Sequence, residues 1–145
     1  MTTVRDSDFR DFLRDVAGKA LFFLDTCHSG GLRAGTRTLE ALPDVAKFAN
    51  ELADAEAGII VFASSTGREL SIELDPFQHG AFTLALLEGL GGQADYTKDT
   101  FIDTAELETY LADRVKALTQ GRQKPVTAKP EAVEKYRVIY VQSRR

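Results

Sequence analysis

The sequence predicts an α/β fold, a mostly parallel sheet flanked by helices in three layers (α/β/α), on three observations. Two continuous apolar runs, Ala20-Leu21-Phe22-Phe23-Leu24 and Ile59-Ile60-Val61-Phe62-Ala63, are rich in aromatic or β-branched residues, the pattern of strands covered on both faces. Between them Val45, Phe48, Ala49 and Leu52 recur at helical spacing before Gly58. Strand, loop, helix and strand in that order fit a right-handed βαβ crossover in a parallel sheet. Finally, 145 residues with 43% hydrophobic content can bury one core and are too few for two ordinary domains. Residues 1–145 are therefore read as one domain or a piece of one.

The elements follow in order. Phe9, Phe12, Leu13 and Val16 are spaced for one helical face, with Ser7 or Asp6 as N-cap and Gly18 as the stop. The first strand, 20–24, comes next. Gly30 to Pro43 is polar and glycine-containing and reads as loop. After the second strand, residues 64–79 form a second long loop on the same side as Cys27, since both follow strand C-termini. In open α/β sheets that edge is where ligands bind. From Gly80 to Leu90 nearly every helical face is apolar (Ala81, Phe82, Leu84, Ala85, Leu86, Leu87, Leu90), which predicts a heavily buried helix. Leu107, Leu111, Val115 and Leu118 make one stripe of a helix over about 104–118, with Asp103 as N-cap and Glu106 as its capping-box partner. Gly121 to Pro130 reads as a connection, and Val138-Ile139-Tyr140-Val141 as a last strand.

Composition removes several function classes. The 18 basic and 22 acidic residues leave a net charge of −4, without the basic stripe that a nucleic-acid partner requires. No apolar run approaches the roughly 20 residues of a membrane helix, and the N-terminus lacks the apolar core of a signal peptide. The chain reads as cytoplasmic. Its single cysteine, Cys27, cannot form an internal disulfide, and with two histidines it gives no zinc-site spacing. No cofactor is expected.

Cys27 stands where the first apolar strand breaks into Asp25-Thr26-Cys27-His28-Ser29-Gly30-Gly31. A thiol acts as nucleophile when its pKa is lowered, a base is near and backbone N–H groups face the developing oxyanion. Gly30 and Gly31 let a substrate backbone approach closely, and Asp25 sets a carboxylate two residues before the thiol.

This segment resembles the catalytic-cysteine motif of the caspase-like peptidases (family C14), especially the metacaspase and bacterial caspase-domain branch. Further similar segments follow in order: Phe62-Ala63-Ser64-Ser65 with Glu69 and Ser71, His79-Gly80-Ala81-Phe82-Thr83 running into Leu86-Leu87-Glu88-Gly89-Leu90, and Gln123-Lys124-Pro125. The resemblance covers about residues 19–142. It implies a caspase-like fold and a cysteine endopeptidase, with Cys27 as nucleophile and as oxyanion N–H donor. Asp25 would line the pocket for the residue before the scissile bond, with Ser64 and Ser65 in the substrate loop, and His28 and Gly30 would shape the turn. A desolvated carboxylate at Asp25 selects a peptide or protein substrate with Arg or Lys before the cleaved bond.

One departure bears on activity. The family takes its general base from a histidine in a His-Gly motif roughly 50 residues upstream of the cysteine, yet none of the 26 residues before Cys27 is a histidine. His79 precedes Gly80, but its context matches the later helix-opening motif, where Gln78 replaces the usual glycine. The expectation is that these residues form the C-terminal two-thirds of a caspase-like domain, inactive or nearly so alone. The first strands and the histidine loop would then lie upstream, leaving an exposed sheet edge for a second copy or a partner chain to cover. The alternative is a non-catalytic pseudo-protease interaction module.

Other patterns compete locally. A structural thiol is the bland reading of Cys27, loop capping that of Asp25, and helix-opening or packing that of His79. His28 is not expected to serve as base, because neighbouring side chains on extended backbone diverge. Cys27 to Arg33 satisfies the Cys-x5-Arg phosphatase pattern, but that loop should lead directly into a helix, whereas Gly35 to Pro43 reads as loop. Asp95, Thr97, Asp99, Asp103 and Glu106 fall at ligand positions of an EF-hand-like calcium loop, with Asp95, Asp99 and Glu106 as the candidate ligands. Thr100 stands where such a loop needs glycine, and a polar loop ending in a capping box explains the same residues.

Overall fold

A computed structural model describes residues 18–25, 45–55, 58–65, 80–131, 133 and 135–141. The expected first helix around Phe9–Val16 lies outside the described residues, as do Cys27, His28, Gly30 and His79. Both apolar runs are strands, β1 (Ala20–Leu24) and β2 (Ile59–Ala63), joined through helix α1 (Val45–Ala55). They pair in parallel, Ala20 opposite Ile59 through Leu24 opposite Ala63. The α/β class and the expected strand, helix, strand unit are therefore present.

The core has two sides because β2 is buried along its whole length and its residues alternate between faces. Ile59 and Val61 pack with Ala49 and Ala53 of α1. Two alanines at helical spacing let that helix lie close to the strand. Ile60 and Phe62 face the opposite layer, where they meet Phe82 and Ala85 of α2 (Ala81–Glu88) and Leu107, Leu111 and Val115 of α3 (Thr104–Leu118). Phe23 stacks on Phe62 with ring centroids 5.3 Å apart, so β1 extends this face. Helix, sheet and helices make the expected three layers.

Two regions differ from expectation. The connection read between Gly121 and Pro130 contains a strand, β4 (Val126–Ala128), antiparallel to β2, so the sheet is mixed, in the order β1-β2-β4. Three residues beside Pro125 carry too little periodicity to announce a strand, and a short edge strand tolerates flanking prolines. The last strand, β5 (Arg137–Tyr140), forms as expected but pairs antiparallel with β3 (Phe101–Asp103), in a separate two-stranded sheet. The Phe101 and Tyr140 rings, 5.2 Å apart, join the pair, and Arg137 lies over Phe101 at 4.0 Å.

The helix expected over 80–90 ends at Glu88 and passes into a π-helical turn, Gly89–Gln93. Its burial is partial: Ala81, Phe82 and Ala85 are buried, whereas Leu87 is 55% exposed. The glycine has a packing reason, since a Cβ at Gly89 would lie 3.0 Å from the Tyr110 ring on α3. Across the same contact Arg114 clasps Glu88, Nε to Oε2 at 2.6 Å and Nη2 to Oε1 at 2.9 Å, and the Tyr110 hydroxyl donates to Gln93 Oε1 at 2.8 Å. The Arg114 guanidinium holds the Glu88 carboxyl below the usual carboxylate range.

Helix α3 starts as its sequence dictates. Asp103 Oδ1 accepts from the N–H groups of Ala105 and Glu106, both at 2.9 Å, and Glu106 Oε2 accepts from the Asp103 N–H at 3.1 Å. Both halves of the capping box are thus made.

At the open side of the main sheet, β1 is the outermost strand among the described residues. Ala20 donates to Gly58 O at 3.0 Å and Leu24 O accepts from Ser64 at 2.8 Å. By the alternation of a parallel ladder, Leu21 and Phe23 turn their N–H and C=O away from β2. No helix among the described residues is long and apolar enough to cross a membrane.

Candidate active site

The parallel pair brings two chain segments to one rim. Asp25 is the first residue beyond β1, and Ser64 and Ser65 are the first beyond β2. The bond from Ser64 N–H to Leu24 O carries the strand pairing one step further and sets Ser64 beside the Leu24-Asp25 link. This is the C-terminal edge that an α/β sheet offers to ligands. Cys27, two positions after Asp25 in the sequence, lies outside the described residues.

Two further elements close on the rim from far along the chain. Thr83, in the first turn of α2, donates its hydroxyl to Asp25 Oδ2. Gly80, the N-cap of α2, approaches the same carboxylate: a Cβ there would sit 3.6 Å from Asp25 Oδ2. The positive end of the α2 dipole thus lies beside an acidic group, a favourable arrangement. Gln123, which precedes β4, is only 1% exposed and donates Nε2–H to the Ser64 carbonyl at 2.8 Å. Its own N–H bonds to Thr119 Oγ1 at 3.1 Å, and that hydroxyl donates to Val115 O at 2.8 Å. A ladder of bonds therefore runs from the end of α3 to the end of β2.

The expected substrate-loop serines occupy a particular depth. Ser64 and Ser65 are both fully buried, so they form the floor of the rim, while Asp25 is exposed at its surface. Ser64 Oγ is buried and has no hydrogen-bond partner among the described residues. Thr83 and Gln123 carry no assigned role in the sequence reading. Both lie inside the motifs that resemble the caspase-like pattern, and that was the available signal for them.

The acidic loop is organised differently. Asp95 accepts from Asp99 N–H and Thr100 N–H at 3.2 Å each, and Asp99 Oδ1 accepts from Phe101 N–H at 2.9 Å. Glu106 Oε1 takes the N–H and hydroxyl of Thr97 at 3.0 and 2.9 Å. Burial pushes the Asp103 carboxyl up, but the Glu106 N–H, the Lys135 ammonium 2.9 Å away and the Ala105 N–H together bring it below its usual range. The candidate calcium ligands are engaged by their own loop. Among the described residues no three His, Cys, Asp or Glu side chains form a group that could hold a metal ion.

A family model described as the caspase domain (peptidase family C14) matches residues 1–136. The match starts earlier and ends earlier than the 19–142 span of the motif resemblance. Neither the curated proteins nor the solved structures compared with this chain gave a match.

Proposed function

The chain belongs to the caspase-domain family, and from that membership we propose that it is a domain of a cysteine endopeptidase that cuts after Arg or Lys. Cysteine peptidase-type function is what the family as a whole supports; the basic specificity and the residue roles are our reading. The observation that carries it is Asp25, an exposed carboxylate at the strand-end rim, two residues ahead of the chain's one thiol. Thr83 holds Oδ2, and Oδ1 has no hydrogen-bond partner among the described residues. An open carboxylate oxygen there is matched by a guanidinium or ammonium and repels an acidic side chain.

In this reading the Cys27 thiolate attacks the scissile carbonyl carbon, and the carbonyl electron pair moves onto oxygen, facing the Cys27 N–H. Collapse of that adduct breaks the C–N bond, and the leaving amine takes a proton from the protonated base. Water then cleaves the thioester, giving the acid and restoring the thiol. Gly30 and His28 shape the turn after the nucleophile, and Ser64 and Ser65 underlie the pocket. Residues 1–26 contain no histidine, so the reading takes the base from a histidine outside this sequence.

Imidazole added to the purified chain tests this directly, because it can replace an absent histidine as general base. We expect almost no hydrolysis of an arginyl peptide ester without imidazole. With it, turnover rises in proportion to imidazole concentration and is lost in Cys27→Ala. Imidazole-dependent turnover that survives Cys27→Ala would overturn the assignment. A chain that shows no thiol-dependent turnover, yet binds arginyl peptides, would instead fit the non-catalytic module.

A further inference from the structure

We propose that Thr83 is a specificity-positioning residue: it fixes the Asp25 carboxylate so that its second oxygen receives the cationic side chain of the substrate. This inference rests on the pocket reading of Asp25 above and extends it to a residue with no assigned role.

Three observations support it. First, the contact is specific and non-local. Asp25 and Thr83 are 58 positions apart, yet the threonine hydroxyl donates to one defined oxygen, Oδ2. Second, that bond is the only side-chain tie on Asp25 among the described residues, and Asp25 itself is exposed. An exposed aspartate on a strand end samples several rotamers. Holding one oxygen removes that freedom in advance, and preorganisation of this kind improves affinity by cutting the ordering cost of binding. Third, the surroundings admit the arrangement. Gly80 leaves the space beside Oδ2 without a side chain, and Thr83 is anchored in the first turn of a helix whose Phe82 and Ala85 are buried in the core. The backbone that carries the donor is therefore held in place, which gives the carboxylate a fixed partner.

Chemistry favours threonine for this task. A hydroxyl donates one hydrogen bond and carries no charge, so it orients the carboxylate without neutralising it. A lysine or arginine in its place would compete with the substrate cation for the same group. Valine has nearly the shape of threonine but no donor, whereas serine keeps the donor.

Benzamidine, a small planar cation, serves as the probe in a titration of the whole chain followed by NMR. The expected result is saturable binding to the wild type, loss of it in Asp25→Asn, weakening by about tenfold in Thr83→Val, and recovery to near wild-type affinity in Thr83→Ser. The thermal midpoints of the three variants, measured alongside, should stay close to that of the wild type. Benzamidine affinity unchanged in Thr83→Val, while Asp25→Asn abolishes binding, would overturn the positioning role and leave the pocket reading intact. A lower thermal midpoint in Thr83→Val with unchanged affinity would do the same, marking the bond as helix anchoring. Absence of saturable binding to the wild type, or equal binding in Asp25→Asn, would overturn the pocket reading and this inference together.

Discussion

The acidic loop before α3 and the strand-end rim both gather polar side chains, and they do so by different means. In the loop the carboxylates accept mainly from groups close by in sequence, Asp95 from Asp99 and Thr100, Asp99 from Phe101, Asp103 and Glu106 from each other's backbone, with Lys135 and Arg137 adding ion pairs to Asp103 and Asp99 from farther along the chain. At the rim the bonds span 58 and 59 positions, from Thr83 to Asp25 and from Gln123 to Ser64. Local bonds satisfy a turn and start a helix, and they leave the carboxylates committed. Long-range bonds fix distant segments against one another and, among the described residues, leave Asp25 Oδ1 without a partner. Residue types alone therefore mislead: of five acidic or hydroxyl residues at calcium-loop spacing, Asp103 and Glu106 cap a helix, while Asp95, Thr97 and Asp99 close the turn before it.

That contrast can be broken by mutation, and the largest effect is expected at the buried rim. Gln123→Leu keeps the volume but leaves the buried Ser64 carbonyl without its Nε2 donor, which should cost about 2–3 kcal/mol. Chemical denaturation measures it, and a loss below ~0.5 kcal/mol would show that the ladder from Val115 to Ser64 does not hold the rim.

A smaller loss is expected in the loop. Asp103→Ala removes the N-cap of α3 and should cost about 1 kcal/mol, visible as faster amide exchange in the first turn of that helix. Its pH dependence follows from the lowered pKa of Asp103. A carboxyl whose folded pKa lies below its unfolded one contributes fully above the unfolded value and loses that contribution as pH falls through the folded one. The wild-type advantage over Asp103→Ala should thus be constant near neutrality and shrink as pH drops below about 4. An advantage that grows on acidification would contradict the capping account.

The smallest effect is expected from calcium. With Asp95, Asp99 and Glu106 already bonded to loop N–H groups, millimolar calcium should leave the thermal midpoint unchanged. A rise that disappears in Glu106→Gln would return the loop to the status of a metal site.

Legibility in the sequence followed the length of the pattern. β1 and β2 were legible as five-residue apolar runs and α3 as a four-member stripe behind an Asp103/Glu106 box. Strands β3 and β4 have three residues each, too short to show a period, and they exist because longer neighbours pair with them. The π-helical turn at Gly89–Gln93 is hidden because the apolar pattern runs on to Leu90, while the non-helical backbone falls at Gly92, whose φ is 119°. The strand ends put Asp25, Ser64 and Ser65 on one sheet edge, as their place after two apolar runs implies. Their hydrogen-bond partners, Thr83 and Gln123, depend on which helix and loop the fold brings to the rim, and no local rule carries that information.

If Asp25 directs basic side chains to Cys27, the preference shows in the rate at which Cys27 is alkylated by two peptidyl chloromethyl ketones that differ only in carrying Arg or Asp next to the reactive group, followed by intact mass. Labelling by the arginyl reagent should be much faster, and the preference should collapse in Asp25→Asn. Equal rates for the two reagents, or an arginyl preference that persists in Asp25→Asn, would contradict it.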